Sequence, residues 1–162
     1  MTDAPPRGGW LILASLVIAL FLAILPMPVG IDAFRPPWVA LVTLYWCLAV
    51  PERFGVFSAF AAGLALDVAS GSLFGQHALG LSLVAYAVVE LHQRIRLFPL
   101  WQQALFVWVL LLVERLLNLW VLAATGQPMP SLIYWVPTLL GLLLWPWLLV
   151  ILNDLGRRAG LV

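Results

Sequence analysis

The chain returns repeatedly to long apolar runs, and the breaks between them are rich in proline and glycine. Six runs can be drawn, at 9–26, 37–51, 54–70, 77–92, 99–124 and 131–153. The breaks read "PMPVGIDAFRPP", "PERFG", "SGSLFGQ", "HQRIRLFP" and "TGQPMPS", all of them turn chemistry. Only 9% of the residues are charged against 64% hydrophobic, whereas an ordinary soluble domain carries about 25% charged residues. Too few polar residues remain to cover a water-facing surface. The expected class is an all-α integral membrane protein, one domain over residues 1–162 built as a six-transmembrane-helix bundle. The second to fourth runs are short for a bilayer that asks for about 20 residues per span. They fit by extending into loops, by tilting little, or by lying in a protein-lined region. A hairpin over 54–92 that does not cross fully is the alternative. The first run resembles the apolar part of a signal peptide. It is slightly long for one, and "PMPVGID" follows instead of a small-residue cleavage site, so it reads as an uncleaved first helix.

Arginine placement sets the expected orientation. With six spans and the N-terminus inside, Arg7, Arg53, Arg94, Arg96, Arg157 and Arg158 face the cytoplasm. Arg35 faces out and Arg115 lies within a span. That bias is the positive-inside pattern and predicts N-in, C-in. Trp10, Trp101, Trp145 and Trp147 fall toward the cytoplasmic interface, and Trp38, Trp120 and Trp135 toward the other, as aromatic belts do.

Within the third run Gly55, Ala59, Gly63, Asp67 and Gly71 recur at i+4. This puts small residues on one face, where another helix backbone can approach closely. Asp67 is a lone acid deep in apolar sequence, and such a group needs a partner. Arg115 lies roughly 24 Å along the fifth helix and Asp67 roughly 21 Å along the third, at 1.5 Å per residue. The matching depth predicts an Asp67–Arg115 pair, with Asn118 as a supporting polar group one turn on. Glu114 competes for Arg115 but points elsewhere on the helix. Three roles for Asp67 stay open: a structural ion pair or helix cap beside "SGS", a contact for a partner membrane protein, and a proton or ligand site. In the fourth run Ala78, Ser82, Tyr86 and Glu90 form a second i+4 stripe, with Glu90 placed to pair with Arg94. Pro137 and Pro146 predict kinks in the last helix.

Signatures of catalysis are missing. There is no phosphate-binding glycine loop, no zinc-protease HExxH, no nucleophile elbow and no pair of intramembrane aspartates. His77 and His92 fall on opposite sides, which disfavours a metal site. Cys47 stands alone in an apolar run and reads as a buried, inert thiol. No basic run suggests a nucleic-acid partner. The residues alone therefore lead to a small six-helix membrane protein, a packing or partner-binding subunit without cofactor.

A resemblance goes further. "FRPPWVALVTLYW" is followed by Gly63, Asp67, Ser70, Gly71, Gly75, Ala78 and Leu79 in the order G-x-x-x-D-x-x-S-G-x-x-x-G-x-x-A-L. With "LWQQAL" at 100–105, this resembles the bacterial rod shape-determining family MreD. The resemblance implies a non-enzymatic inner-membrane subunit of the cell-elongation machinery that binds MreC. It implies association, more indirectly, with MreB filaments and the RodA–transpeptidase peptidoglycan synthase. It also implies a fold similar to the substrate-binding subunits of energy-coupling-factor transporters. On that basis the "SGSLFGQ" loop with His77 beside it is the expected docking surface for MreC. The rival reading is a small-ligand-binding subunit of vitamin-transporter type, with a cavity lined by Asp67, His77, Arg115, Asn118 and Tyr134.

Overall fold

The computed structural model describes residues 8–162, so Arg7 lies outside the described residues. Six α-helices make up the fold: α1 (Gly9–Ile24), α2 (Trp38–Ala49), α3 (Val56–Ser70), α4 (Gln76–Arg96), α5 (Leu100–Ala124) and α6 (Val136–Arg158). Short 3-10 turns at Asp32–Phe34 and Leu132–Trp135 precede α2 and α6. The described residues contain no strand. Each expected run is a helix, with shifted ends. α4 runs on through Arg96 because nothing in "LHQRIR" breaks it before Pro99. α6 begins later and ends later than its apolar run, since Pro137 suits only a helix start and Asn153–Asp154 do not stop one. Two helical segments, Leu100–Ala124 and Leu132–Arg158, are long and apolar enough to cross a membrane; α1 and α3 are apolar but shorter.

α2 is the centre of the bundle. All its residues from Val39 to Leu48 are buried, and it packs against α1, α3, α4 and α6. The other helices form an arc around it in which α3, α4, α5 and α6 are neighbours in order and α1 closes onto α3. Buried tryptophans tie the layers. The Trp46 indole donates to Ser15 of α1 at 2.8 Å, and Trp145 of α6 donates to Gln103 of α5 at 3.4 Å. Trp145 was expected at an interface but is fully buried, because Gln103 gives its N–H a partner inside the bundle. Trp10, Trp101, Trp120 and Trp147 are exposed.

The centre helix is shorter than its neighbours. α2 has 12 residues against 21, 25 and 23 in α4, α5 and α6. At 1.5 Å per residue it spans about 18 Å where they span about 32–38 Å. Its ends therefore stop inside the height of the bundle, where unpaired backbone groups are costly. At the start, Pro36 and Pro37 bring no N–H to satisfy. At the finish, Arg96 reaches across from α4. Its guanidinium donates to Leu48 O at 2.6 and 3.0 Å and to Ala49 O at 2.6 Å. Arg35 does the same for α1, donating to the carbonyls of Ala23 and Leu25 while paired with Asp32 at 2.7 Å. Both arginines count in the sequence as topology signals; the structure uses them as caps for other helices. Arg96→Met, which keeps the stem and removes the donors, is expected to cost about 2 kcal/mol. A urea titration followed by tryptophan fluorescence checks this, with Arg94→Met as the neutral comparison.

Arg53, Arg94, Arg96, Arg157 and Arg158 gather at the end of the bundle where α2 finishes. The Arg96 caps join α4 to the end of α2, Gly156 lies close to Tyr45, and Gly8 lies against Leu161. Both ends of the described chain are thus on this face. The expected Glu90–Arg94 pair is not formed. Among the described residues the i,i+4 pair at this end is Asp154–Arg158, at 3.0 Å. Of the stripe Ala78–Ser82–Tyr86–Glu90, Ala78 is buried and Ser82 half-buried, while Tyr86 and Glu90 are exposed; α4 also buries Leu81, Val84, Ala85 and Val88.

A carboxylate cap and the cavity beside it

Asp67 lies in the last turn of α3, 1% exposed. Gly71 ends that helix in the left-handed conformation, φ 66°, with its N–H on Asp67 O. Four residues later Gly75, φ 95°, opens α4. Glycine is required at both positions by these positive φ values. The reversal between them folds the start of α4 back onto the Asp67 side chain.

The carboxylate is filled by donors. Oδ1 accepts from Ser72 Oγ at 2.8 Å, from the His77 N–H at 3.0 Å and from His77 Nδ1 at 2.8 Å. Oδ2 accepts from the Gly75 N–H at 2.9 Å and the Ala78 N–H at 3.4 Å. A carboxylate oxygen only accepts, so His77 Nδ1 carries the proton. Three of these donors are the first N–H groups of α4, which no helical carbonyl can reach. Asp67 is therefore an N-cap for α4 supplied by the preceding helix, and its negative charge sits on the positive end of that helix.

The cap reading of Asp67 holds and the Arg115 reading does not. Among the described residues the one ion pair of Asp67 is with His77. Depth arithmetic matched the two positions, but ten residues further along, the chain itself returned a denser set of donors. Arg115 instead lies over the Tyr134 ring, 4.6 Å from its centroid, and the Tyr134 hydroxyl donates to Arg115 O at 3.2 Å. Asn118 supports Glu114, not Arg115, with Nδ2 on Glu114 Oε1 at 2.6 Å.

The small-residue face does its expected work over part of its length. Ala59 is fully buried. Gly63 is the crossing point, where an added Cβ would lie 2.4 Å from Ala78 Cα. α3 and α4 touch there backbone to backbone. Gly55 caps the start of α3, where an added Cβ would lie 3.7 Å from Pro51 O, and Gly71 serves the turn. Ser70 is exposed, its hydroxyl bonded to Leu66 O at 2.6 Å. Cys47 is free and buried.

Above the start of α2, where the short centre helix leaves the bundle axis unfilled, lies a cavity of about 430 Å³. Its walls bring together His77, Glu114, Arg115, Asn118 and Tyr134 with the 32–40 segment that leads into α2. Four of the five residues named for a ligand cavity are thus assembled, while Asp67 faces its own turn. Glu114 was set aside as a competitor for Arg115, yet it is 5% exposed and a wall of this cavity. The signal for it was the i+4 spacing to Asn118.

The family described as rod shape-determining protein MreD matches residues 7–155. The rod shape-determining protein MreD of Haemophilus influenzae is 34% identical over 154 residues, covering 93% of each chain. No solved structure matches significantly, so the expected likeness to energy-coupling-factor subunits rests on the sequence resemblance alone.

Proposed function

The chain belongs to the MreD family of rod shape-determining proteins, and from that premise we propose that it is a multi-pass subunit of the bacterial inner membrane that docks MreC. In this reading the six helices stand N-in, C-in, and the arginine-rich end lies in the cytoplasm, as the positive-inside rule asks. The protein supports lateral peptidoglycan synthesis without catalysis of its own. It contacts MreB filaments and the RodA–transpeptidase synthase through MreC.

The α3–α4 turn carries the proposal. It presents Leu73 and Phe74, the latter 76% exposed, and the buried Asp67 holds the Gly75 and His77 N–H groups that follow them. An apolar pair on a preorganised loop is a docking element: its exposure has a cost in isolation, and little ordering remains to be done on binding. Gly71 and Gly75 are poor positions for probing it, because side chains there strain the backbone. Leu73→Ser with Phe74→Ser leaves the turn intact. The double variant is expected to keep its membrane level while co-purification of MreC falls about tenfold or more, as for loss of an aromatic anchor. Undiminished recovery of MreC would remove the turn from the interface.

A further inference from the structure

The cavity over the start of α2 has Glu114 and Arg115 on its walls, and neither is in an ion pair among the described residues. Glu114 is buried, and the one side-chain hydrogen bond it receives is from Asn118. Among the described residues no cation lies within 4 Å of it. Asn118, 3% exposed, spends its amide N–H on Glu114 and leaves Oδ1 buried without a partner. On the same wall the Arg115 guanidinium rests on Tyr134 with no carboxylate within 4 Å. Arg35 and Asp32 border the same space as an ion pair at 2.7 Å; Arg35 also donates to the Ala23 and Leu25 carbonyls, and its Nε is buried without a partner. A buried carboxyl with no cationic partner and a buried acceptor with no donor are both costly. Here they occur together, with the partly buried Arg115 on the same wall, around one volume of small-molecule size.

We infer that this cavity binds a zwitterion carrying a primary ammonium and a phosphate. The ammonium has three donors, enough for the Glu114 carboxylate and the Asn118 Oδ1 at once. The phosphate then faces the guanidinium of Arg115. Tyr134 holds the Arg115 fork in place from below. Two sources present this chemistry: the headgroup of an aminophospholipid and a free phosphoethanolamine ester. The lipid source rests on the membrane reading proposed above, whereas the headgroup chemistry rests on the cavity alone.

The test compares headgroups on the full chain, purified in detergent and examined by native mass spectrometry and thermal shift. The probes are phosphatidylethanolamine, phosphatidylcholine, phosphatidylglycerol and soluble glycerophosphoethanolamine. Phosphatidylethanolamine is expected to bind about tenfold tighter than phosphatidylcholine, whose methylated nitrogen cannot donate. Phosphatidylglycerol, which lacks the ammonium, is expected to fall with phosphatidylcholine. Asn118→Leu and Glu114→Gln should each remove the preference. Because it needs no variant, the headgroup comparison on the unaltered protein decides even where these fail to fold. Binding of the soluble ester as well as the lipid assigns the site to the free zwitterion; binding of the lipid alone assigns it to the membrane. Equal retention of the three lipids, with no response to the soluble ester, overturns the inference. MreC recovery is measured separately, so failure here is distinct from failure of the docking proposal.

Discussion

Asp67→Ala is expected to unfold the half of the α3–α4 pair next to its turn and to cost about 3–5 kcal/mol. The substitution removes a buried group that satisfies three backbone N–H donors, one hydroxyl and one imidazole. Each buried donor left without an acceptor costs roughly 1–3 kcal/mol, offset in part by relaxation of the turn. Asp67→Asn is the informative companion. It keeps the shape and one acceptor oxygen but turns an NH2 toward donors, so it should recover less than half of the loss. His77→Ala gives up one side-chain bond and leaves the backbone cap, and about 1 kcal/mol is expected. Membrane protein level and urea midpoint, read together, give the order Asp67→Ala, Asp67→Asn, His77→Ala. An Arg115→Ala variant as damaging as Asp67→Ala, and rescued by exchanging the two charges, would restore the ion pair that the geometry denies.

Gly63→Val is the second large effect. The new Cβ would meet Ala78 Cα at 2.4 Å and Ala78 N at 2.7 Å. These are backbone atoms, so no rotamer change can relieve the clash, and the helices must separate. Overpacking that side chains absorb costs typically 1–3 kcal/mol; backbone against backbone should exceed the top of that range. Separation would also pull the α4 N–H groups off the Asp67 carboxylate, since the crossing sits beside the cap. Gly63→Val and Asp67→Ala should therefore be strongly non-additive in a double-mutant cycle. Gly55→Val is the control, because the nearest atom to its Cβ is 3.7 Å away.

Helix number and helix identity were legible from hydropathy because apolar runs and turn residues alternate cleanly. The special place of Gly63 and Asp67 was legible from i+4 spacing. The partner of Asp67 was not, because depth along a helix gives one coordinate and the facing direction gives another. "SGSLFGQH" held the answer: two glycines able to take positive φ fold the chain back within reach of the acid. The arginine caps were hidden for a different reason. A guanidinium at the end of a long stem serves a helix remote in sequence, 48 residues away for Arg96 and Leu48. Nothing local to "HQRIR" marks that. The cavity was hidden as well, since it comes from a difference in length between α2 and its neighbours rather than from any motif.

The short centre helix has a consequence for biogenesis. Twelve residues do not make a span that a bilayer retains by apolar length alone. In the inner-membrane placement proposed above, α2 depends on neighbours to shield its ends, and the guanidinium that closes its last turn belongs to α4. On that reading, stable seating of α2 follows synthesis past Arg96, whose guanidinium holds the Leu48 and Ala49 carbonyls. Insertion and folding are then coupled through the order in which α2 and α4 are made.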